Sequence, residues 1–248
     1  MKYVKILVLL GLVLSFSILF LYKDEKVAVL GYHSFSENVE EDMFIMPISE
    51  FEEQLKYLKE HNYTTLSLDE FYDYYKGKKK IPRKTVLITM DDGYQSNYDL
   101  AFPLLKKYNM KATVFYIGSN VTGENKNYMN QEALAKIKTE YPNIDIASHS
   151  YALHYDKSID KGTKYIKDDF EKMSEVINTK YFAYPYGHYN NDIIKVLKEE
   201  KYKMAFTFGP DKEHRKASRK DNIYKIPRLN ITNGMPLWKF SLRLISPY

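Results

Sequence analysis

Thr89-Met90-Asp91-Asp92-Gly93 sets two carboxylates side by side, followed by a glycine that lets the backbone turn sharply. Neighbouring carboxylates repel unless a cation relieves them. With Asp92 as a ligand to a divalent metal, Asp91 stays beside it as a base for an activated water. On its own the triplet reads more readily as a turn closed by an Asx hydrogen bond. His149-Ser150-Tyr151-Ala152-Leu153-His154 alters that reading, because two of the six histidines of the chain stand five residues apart. A loop can fold both imidazoles onto one ion. Together with Asp92 they form a His-His-Asp set that leaves coordination positions open for water and substrate, as a catalytic site requires.

The elements that must position these residues alternate between short β-branched or apolar runs and helical patterns, the pattern of βα units around a parallel sheet. Strands are expected at Val27–Tyr32, Thr64–Leu66, Thr85–Met90, Ala112–Ile117, Ile144–Ala147, Tyr181–Tyr184, Met204–Phe208 and Tyr224–Leu229. Helices are expected at Glu50–His61, with Ser49 and Glu52 as a capping box, and at Asp69–Lys76, closed by Gly77. Four more are expected at Asn97–Tyr108, Gln131–Thr139, Lys164–Thr179 and Asn191–Lys201. The fold class is α/β, a distorted (β/α) barrel of seven or eight units. His33, Asp91, Asp92, His149, Pro185, Tyr186 and Arg228 then all fall at or near carboxyl ends of strands, which in a parallel barrel share the face that carries catalysis.

Composition narrows the chemistry. The chain of 248 residues has no cysteine, which excludes disulfides, thiolate metal sites and a thiol nucleophile. A net charge of +5 without a basic stripe argues against a nucleic-acid partner. The 24 tyrosines suit a protein that stacks on sugar rings, and equally suit a general compositional bias. Lys2 and Lys5 precede an apolar run from Ile6 to Tyr22, closed by Lys23-Asp24-Glu25-Lys26. At about 25 Å the run is slightly short of a ~30 Å hydrocarbon core yet longer than most signal-peptide cores. No small-x-small cleavage site follows it, so residues 1–26 read as a cytoplasmic n-region, an uncleaved anchor and a short linker, with 27–248 as an extracytoplasmic catalytic domain. Cleavage and secretion is the alternative.

These motifs resemble those of the polysaccharide deacetylase family, carbohydrate esterase family 4, whose NodB-type domain would cover about residues 27–245. The family signature Thr-Phe-Asp-Asp-Gly matches Thr89–Gly93 except at Met90, and implies Asp91 as base and Asp92 as metal ligand. The second motif, His-(Ser/Thr)-x-x-His, is matched with the second histidine one residue later, as in the branch that deacetylates poly-N-acetylglucosamine of biofilm matrices. The third, Arg-Pro-Pro-(Tyr/Trp)-Gly, stands as Ala183-Tyr184-Pro185-Tyr186-Gly187 without its arginine. The resemblance implies that the Tyr186 backbone N–H helps hold the oxyanion, and that Tyr184, Pro185, Tyr186 and His188 line the substrate cleft. Arg228 is the candidate to replace the missing arginine, or else pairs with a structural carboxylate. The family's carboxyl-terminal Leu-x-His is absent as well, since Leu229-Asn230-Ile231 carries no histidine, and His33 is the candidate general acid.

The implied activity is metal-dependent N-deacetylation of an amino-sugar polymer, releasing acetate. One divalent ion is implied, zinc foremost, with cobalt, nickel or iron as alternatives. The expected partners are the N-acetylated polymer and, through the anchor, the membrane; nothing in the sequence names a protein partner. Rival functions are peptidoglycan deacetylation and an anchored polysaccharide-binding protein with a decayed site.

Overall fold

The computed structural model describes residues 26–155, 157–208 and 215–245. The candidate anchor at residues 6–22 lies outside the described residues. Among those described, no helix is long and apolar enough to cross a membrane.

Strands β1 (Ala28–Tyr32), β5 (Thr85–Met90) and β6 (Ala112–Tyr116) are buried along their whole length, as expected where helices cover a parallel sheet. They continue through β7 (Ile144–Ser148), β8 (Tyr181–Ala183) and β9 (Met204–Thr207), every neighbouring pair parallel. The seventh stave is broken in two. β10 (Ile226–Pro227) pairs with β9, and β11 (Leu229–Asn230) pairs with β1, so the barrel closes across Arg228, whose N–H donates to Thr207 O at 3.0 Å. The expected strand at 224–229 is therefore an interrupted seam. The expected strand at 64–66 is reduced to β4 (Thr64–Thr65), which pairs with the start of β5 off the ring. A small parallel pair, β2 (Ser34–Ser36) with β3 (Ile45–Pro47), was not foreseen, because the eight residues between them are mostly polar.

Alternation along the staves sorts side chains between two environments. Val86, Ile88 and Met90 of β5 face the surrounding helices, whereas Leu87 joins Val29, Phe115, Ala147, Ala183 and Phe206 in the lumen. Helix α1 (Ile48–Glu60) buries Phe51, Gln54, Leu55 and Leu58, one stripe at helical spacing. Its start differs from expectation. Pro47 occupies the N-cap without a side-chain hydrogen bond, and Glu52 is taken by Lys107 (2.8 Å) and the Tyr108 hydroxyl (2.8 Å) rather than by a capping box with Ser49. The capping box occurs instead at Ser67 and Glu70, which start α2 (Leu68–Tyr75).

Helix α3 (Phe102–Lys107) follows a π-helical turn at Asn97–Ala101. Helices α4 (Gln131–Glu140), α5 (Thr163–Val176) and α6 (Asn191–Glu199) follow the expected pattern. A further helix, α7 (Leu237–Ile245), packs Phe240 edge-on against Tyr57 of α1.

Candidate active site

The seam residue Arg228 is fully buried, and its guanidinium grips Asp91 at the end of β5 in a two-pronged ion pair: Nη1 donates to Oδ1 at 2.6 Å and Nη2 to Oδ2 at 2.8 Å. Burial, the largest single influence, works to raise the Asp91 pKa; the charge and hydrogen bonds of Arg228, together with His149 and His33, outweigh it and hold the carboxyl below the ordinary carboxylate range. Arg228 is itself packed against two aromatic rings, 3.9 Å from the Phe208 centroid and 5.4 Å from that of Phe115. Phe208 also lies nearly parallel to His33, centroids 5.9 Å apart, so one ring sets the position of both groups. Gly31 makes room for it, since a Cβ there would fall 2.5 Å from the Phe208 ring.

One residue on, the chain turns through the left-handed region at Asp92 (φ 69°) and Gly93 (φ 79°). The second position requires glycine, because a Cβ would meet the Tyr116 ring at 2.2 Å. This turn swings the Asp92 carboxylate away from Asp91 and towards the loop after β7. His149 is buried there with Nδ1 donating to Ala183 O at 2.8 Å, which leaves Nε2 facing the carboxylates. Nε2 lies 3.4 Å from Asp92 Oδ1 and 3.8 Å from Asp91 Oδ2. His154 Nε2 lies 3.1 Å from the same Asp92 oxygen.

The ligand atoms of Asp92, His149 and His154 all fall within 4.8 Å of one another. Asp92 Oδ1 is nevertheless a buried oxygen with no hydrogen bond directed at it. Three ligand atoms that converge this closely are what a divalent cation satisfies. Without an ion, burial raises the Asp92 pKa, and the two imidazoles beside it more than reverse that. His149 is pushed the other way: burial lowers its pKa, but the Asp91 and Asp92 carboxylates bring it above the usual histidine value.

His33 lies within electrostatic reach of Asp91, Asp92, Arg228 and His149; burial lowers its pKa and prevails over both carboxylates. Its Nδ1 is buried with no hydrogen-bond partner, and Phe44 from the stretch before β3 packs on its ring at 4.7 Å. Tyr186 adopts the left-handed conformation (φ 56°), is 56% exposed and sits with its ring 4.4 Å from His154. Pro185, Tyr186 and His188 line a cleft of about 410 Å³ together with Leu153 and Tyr155.

Tyr184 does not reach that cleft. Its ring is fully buried against Phe182 and Tyr189, and its hydroxyl donates to Tyr224 O at 2.9 Å, so it belongs to the core and not to the substrate surface. Strand alternation explains this: Tyr184 follows Ala183, whose side chain takes the lumen side. Sequence reasoning also missed Tyr94, which stacks on Tyr128 at 4.8 Å with its hydroxyl directed at Asp92. Its position two residues after Asp92 was the available signal. Phe208 offered none, as any large apolar side chain at a strand end looks like core.

A parallel barrel with a clamped carboxylate and a three-ligand cation site at its carboxyl end defines a hydrolase of the metal-assisted class. The polysaccharide deacetylase family model matches residues 78–205, and the chain belongs to that family. A poly-β-1,6-N-acetyl-D-glucosamine N-deacetylase from Staphylococcus aureus is 30% identical over 244 residues, covering 86% of this chain and 81% of that protein. Among solved structures, the Streptococcus pyogenes deacetylase PplD in complex with acetate aligns with TM-score 0.78 at 23% identity, over 90% of this chain and 99% of that one. IcaB from Ammonifex degensii aligns with TM-score 0.76 at 23% identity, over 90% and 98%. Both share the barrel fold.

Proposed function

We propose that this chain hydrolyses the acetamide of N-acetylglucosamine units in an extracellular polysaccharide, poly-β-1,6-N-acetylglucosamine foremost, with one zinc ion held by Asp92, His149 and His154. The observation that carries the reading is the unsatisfied Asp92 oxygen between two imidazoles, next to a carboxylate kept ionised by Arg228. The activity in the name of the S. aureus relative supports the choice of polymer.

A bound ion supplies Lewis acidity at the acetyl oxygen and lowers the pKa of water towards about 7. Asp91 removes a proton from the attacking water, and Arg228 keeps that carboxylate charged and aimed. The new C–O bond moves the carbonyl electron pair onto oxygen, where the Tyr186 backbone N–H stabilises it. His33 in its protonated form delivers its proton to the sugar nitrogen, and the proton left on Asp91 passes to solvent as acetate departs, so that uptake of one proton by His33 and release of one from Asp91 restore both groups for the next turnover. The C–N bond then breaks, leaving acetate and a free amine that is cationic at neutral pH. The exposed Tyr186 ring and His188 offer flat surfaces for neighbouring sugars.

In this reading residues 6–22 anchor the protein and 27–248 work outside the cytoplasm, supported by the apolar run and the lysines before it. The deciding experiment is acetate release by the purified chain from poly-β-1,6-N-acetylglucosamine and from muropeptides, with and without a chelator, with metal analysis on the same sample. Chelator-sensitive release from the first polymer is expected. Release from muropeptides alone would transfer the activity to peptidoglycan, and release unaffected by metal removal would refute the zinc site. Membrane fractionation and protease shaving of intact cells test the anchor, and recovery in the soluble cytoplasmic fraction would overturn it.

A further inference from the structure

The two histidines are held by a loop that passes through the left-handed region at Ser150 (φ 70°) and, among the described residues, has no strand partner beyond His149. Part of its support comes from within the loop, where the Leu153 N–H donates to Ser150 Oγ at 2.9 Å, and part from the segment after β6, where the N–H groups of Gly118 and Ser119 donate to Ser150 O and Tyr151 O at 3.0 and 2.9 Å. The centre of the loop is also held by a side chain of α5. The N–H groups of Tyr151 and Ala152 both point at one carboxylate, Asp169 on α5, and donate to Oδ1 at 2.9 Å and to Oδ2 at 2.7 Å.

Asp169 is an unusual occupant of its position. It is only 7% exposed, on the face of α5 that buries Ile166, Phe170 and Met173. An apolar residue there would continue the stripe without removing a charge from water. Burial pushes the Asp169 carboxyl up to about 6, only partly offset by the two backbone N–H groups. Stability alone gives no reason for a carboxylate here, whereas two adjacent N–H groups in a loop do.

We infer that Asp169 is a positioning residue for the metal centre: by clamping the Tyr151 and Ala152 N–H groups it fixes the turn that brings His154 Nε2 to the same Asp92 oxygen as His149. The clamp matters most for His154, since His149 is held independently by Ala183 O. It rests on the assignment of Asp92, His149 and His154 as ligands.

The test uses the full purified chain. Asp169→Asn conserves size but replaces one acceptor by an NH₂ that faces a backbone N–H. Outer-shell partners of metal ligands are worth about 10- to 100-fold in metal affinity. Zinc affinity by chelator competition is therefore expected to fall by about that factor, and the visible bands of the cobalt-loaded variant to shift from wild type. A purely structural role would lower Tm without changing the cobalt spectrum of the folded protein. Unchanged zinc affinity and an unchanged cobalt spectrum would overturn the inference while leaving the metal site intact. A wild-type chain that binds no zinc would overturn the ligand assignment and the inference with it. Should Asp169→Asn fail to fold, hydrogen exchange on metal-free wild type decides: protected Tyr151 and Ala152 amides are expected, and exchange at the rate of an open loop would refute the clamp.

Discussion

The two mouths of the barrel are both lined with carboxylates and are built on opposite terms. At the amino end, α2 lies across the opening with Phe71, Tyr74 and Tyr75 against the lumen residues. Three carboxylates there each accept at least one hydrogen bond. Glu70 accepts from Lys111 (2.7 Å), Lys79 (2.8 Å) and the Ser67 N–H (3.0 Å); Asp145 accepts from the Leu68 N–H (3.0 Å); Asp69 accepts from Lys203 (2.8 Å) and the Tyr181 hydroxyl.

At the carboxyl end the site stays open. Asp92 Oδ1 and His33 Nδ1 are buried without partners. Asp92, Ser150 and Tyr186 hold left-handed conformations that disfavour non-glycine residues by about 1–2 kcal/mol each. At the other end such conformations occur at Asn62, Asn109 and Lys201, just after helices, where they only terminate a helix. The same residue types therefore stabilise one end and leave the other short of ligands, and unsatisfied polar groups in a buried site mark where an ion and substrate complete the structure.

The largest expected effect comes from emptying the open end. Asp92→Ala, His149→Ala and His154→Ala should each lose bound zinc and acetate release together, because two ligands hold a divalent ion poorly; metal analysis beside an activity assay checks this. Full occupancy in any one of them removes that residue from the ligand set. Asp91→Asn should retain the ion and lose about 10²- to 10⁴-fold in turnover.

Next is the clamp between the two. Arg228→Met leaves the buried Asp91 carboxylate unpaired and should destabilise the fold by about 3–5 kcal/mol, read from denaturant unfolding at neutral pH. A loss below about 1 kcal/mol would mean that the ion pair is exposed to water in solution.

His33→Ala should reduce turnover of the amide by about 10²-fold or more while an activated acetyl ester, whose leaving group departs without a proton, is nearly spared. Equal losses on both substrates would make His33 structural.

The smallest effect belongs to the closed end. The lysines around Glu70, against the opposing effect of burial, push its pKa from 4.5 down to about 2. A folded-state pKa below the unfolded one contributes stability that is present above about pH 4.5 and is lost as the pH falls towards 2. Glu70→Gln should flatten that part of the stability profile by no more than about 1 kcal/mol, since the partner lysines are solvent-exposed, and should leave acetate release unchanged. A loss of turnover in this variant would break the separation of the two ends.

Much of the fold and site was legible from residue types and short-range spacing. β-branched runs and helical stripes are local signals, and they located six of the seven staves and the order of the helices. Asp91-Asp92-Gly93 and the His149–His154 pair could be recognised because their chemistry is carried by neighbours in sequence. What required the tertiary structure depends on partners far apart along the chain. Arg228 meets Asp91 across 137 positions, and only closure of the barrel through two-residue half-strands brings them together. Tyr184 looked like a cleft residue from its motif and is core because alternation at the end of β8 turns it outward against Phe182. Glu52 looked like half of a capping box and is claimed by Lys107 and Tyr108 from a distant helix. Asp169 carried no signal at all, because a lone acid in a helix is usually solvated, and its meaning lies in two backbone N–H groups of a loop that the sequence could not orient. Local chemistry is written in side-chain identity, whereas the partner of each buried charge is decided by which distant segments the closed barrel packs against it.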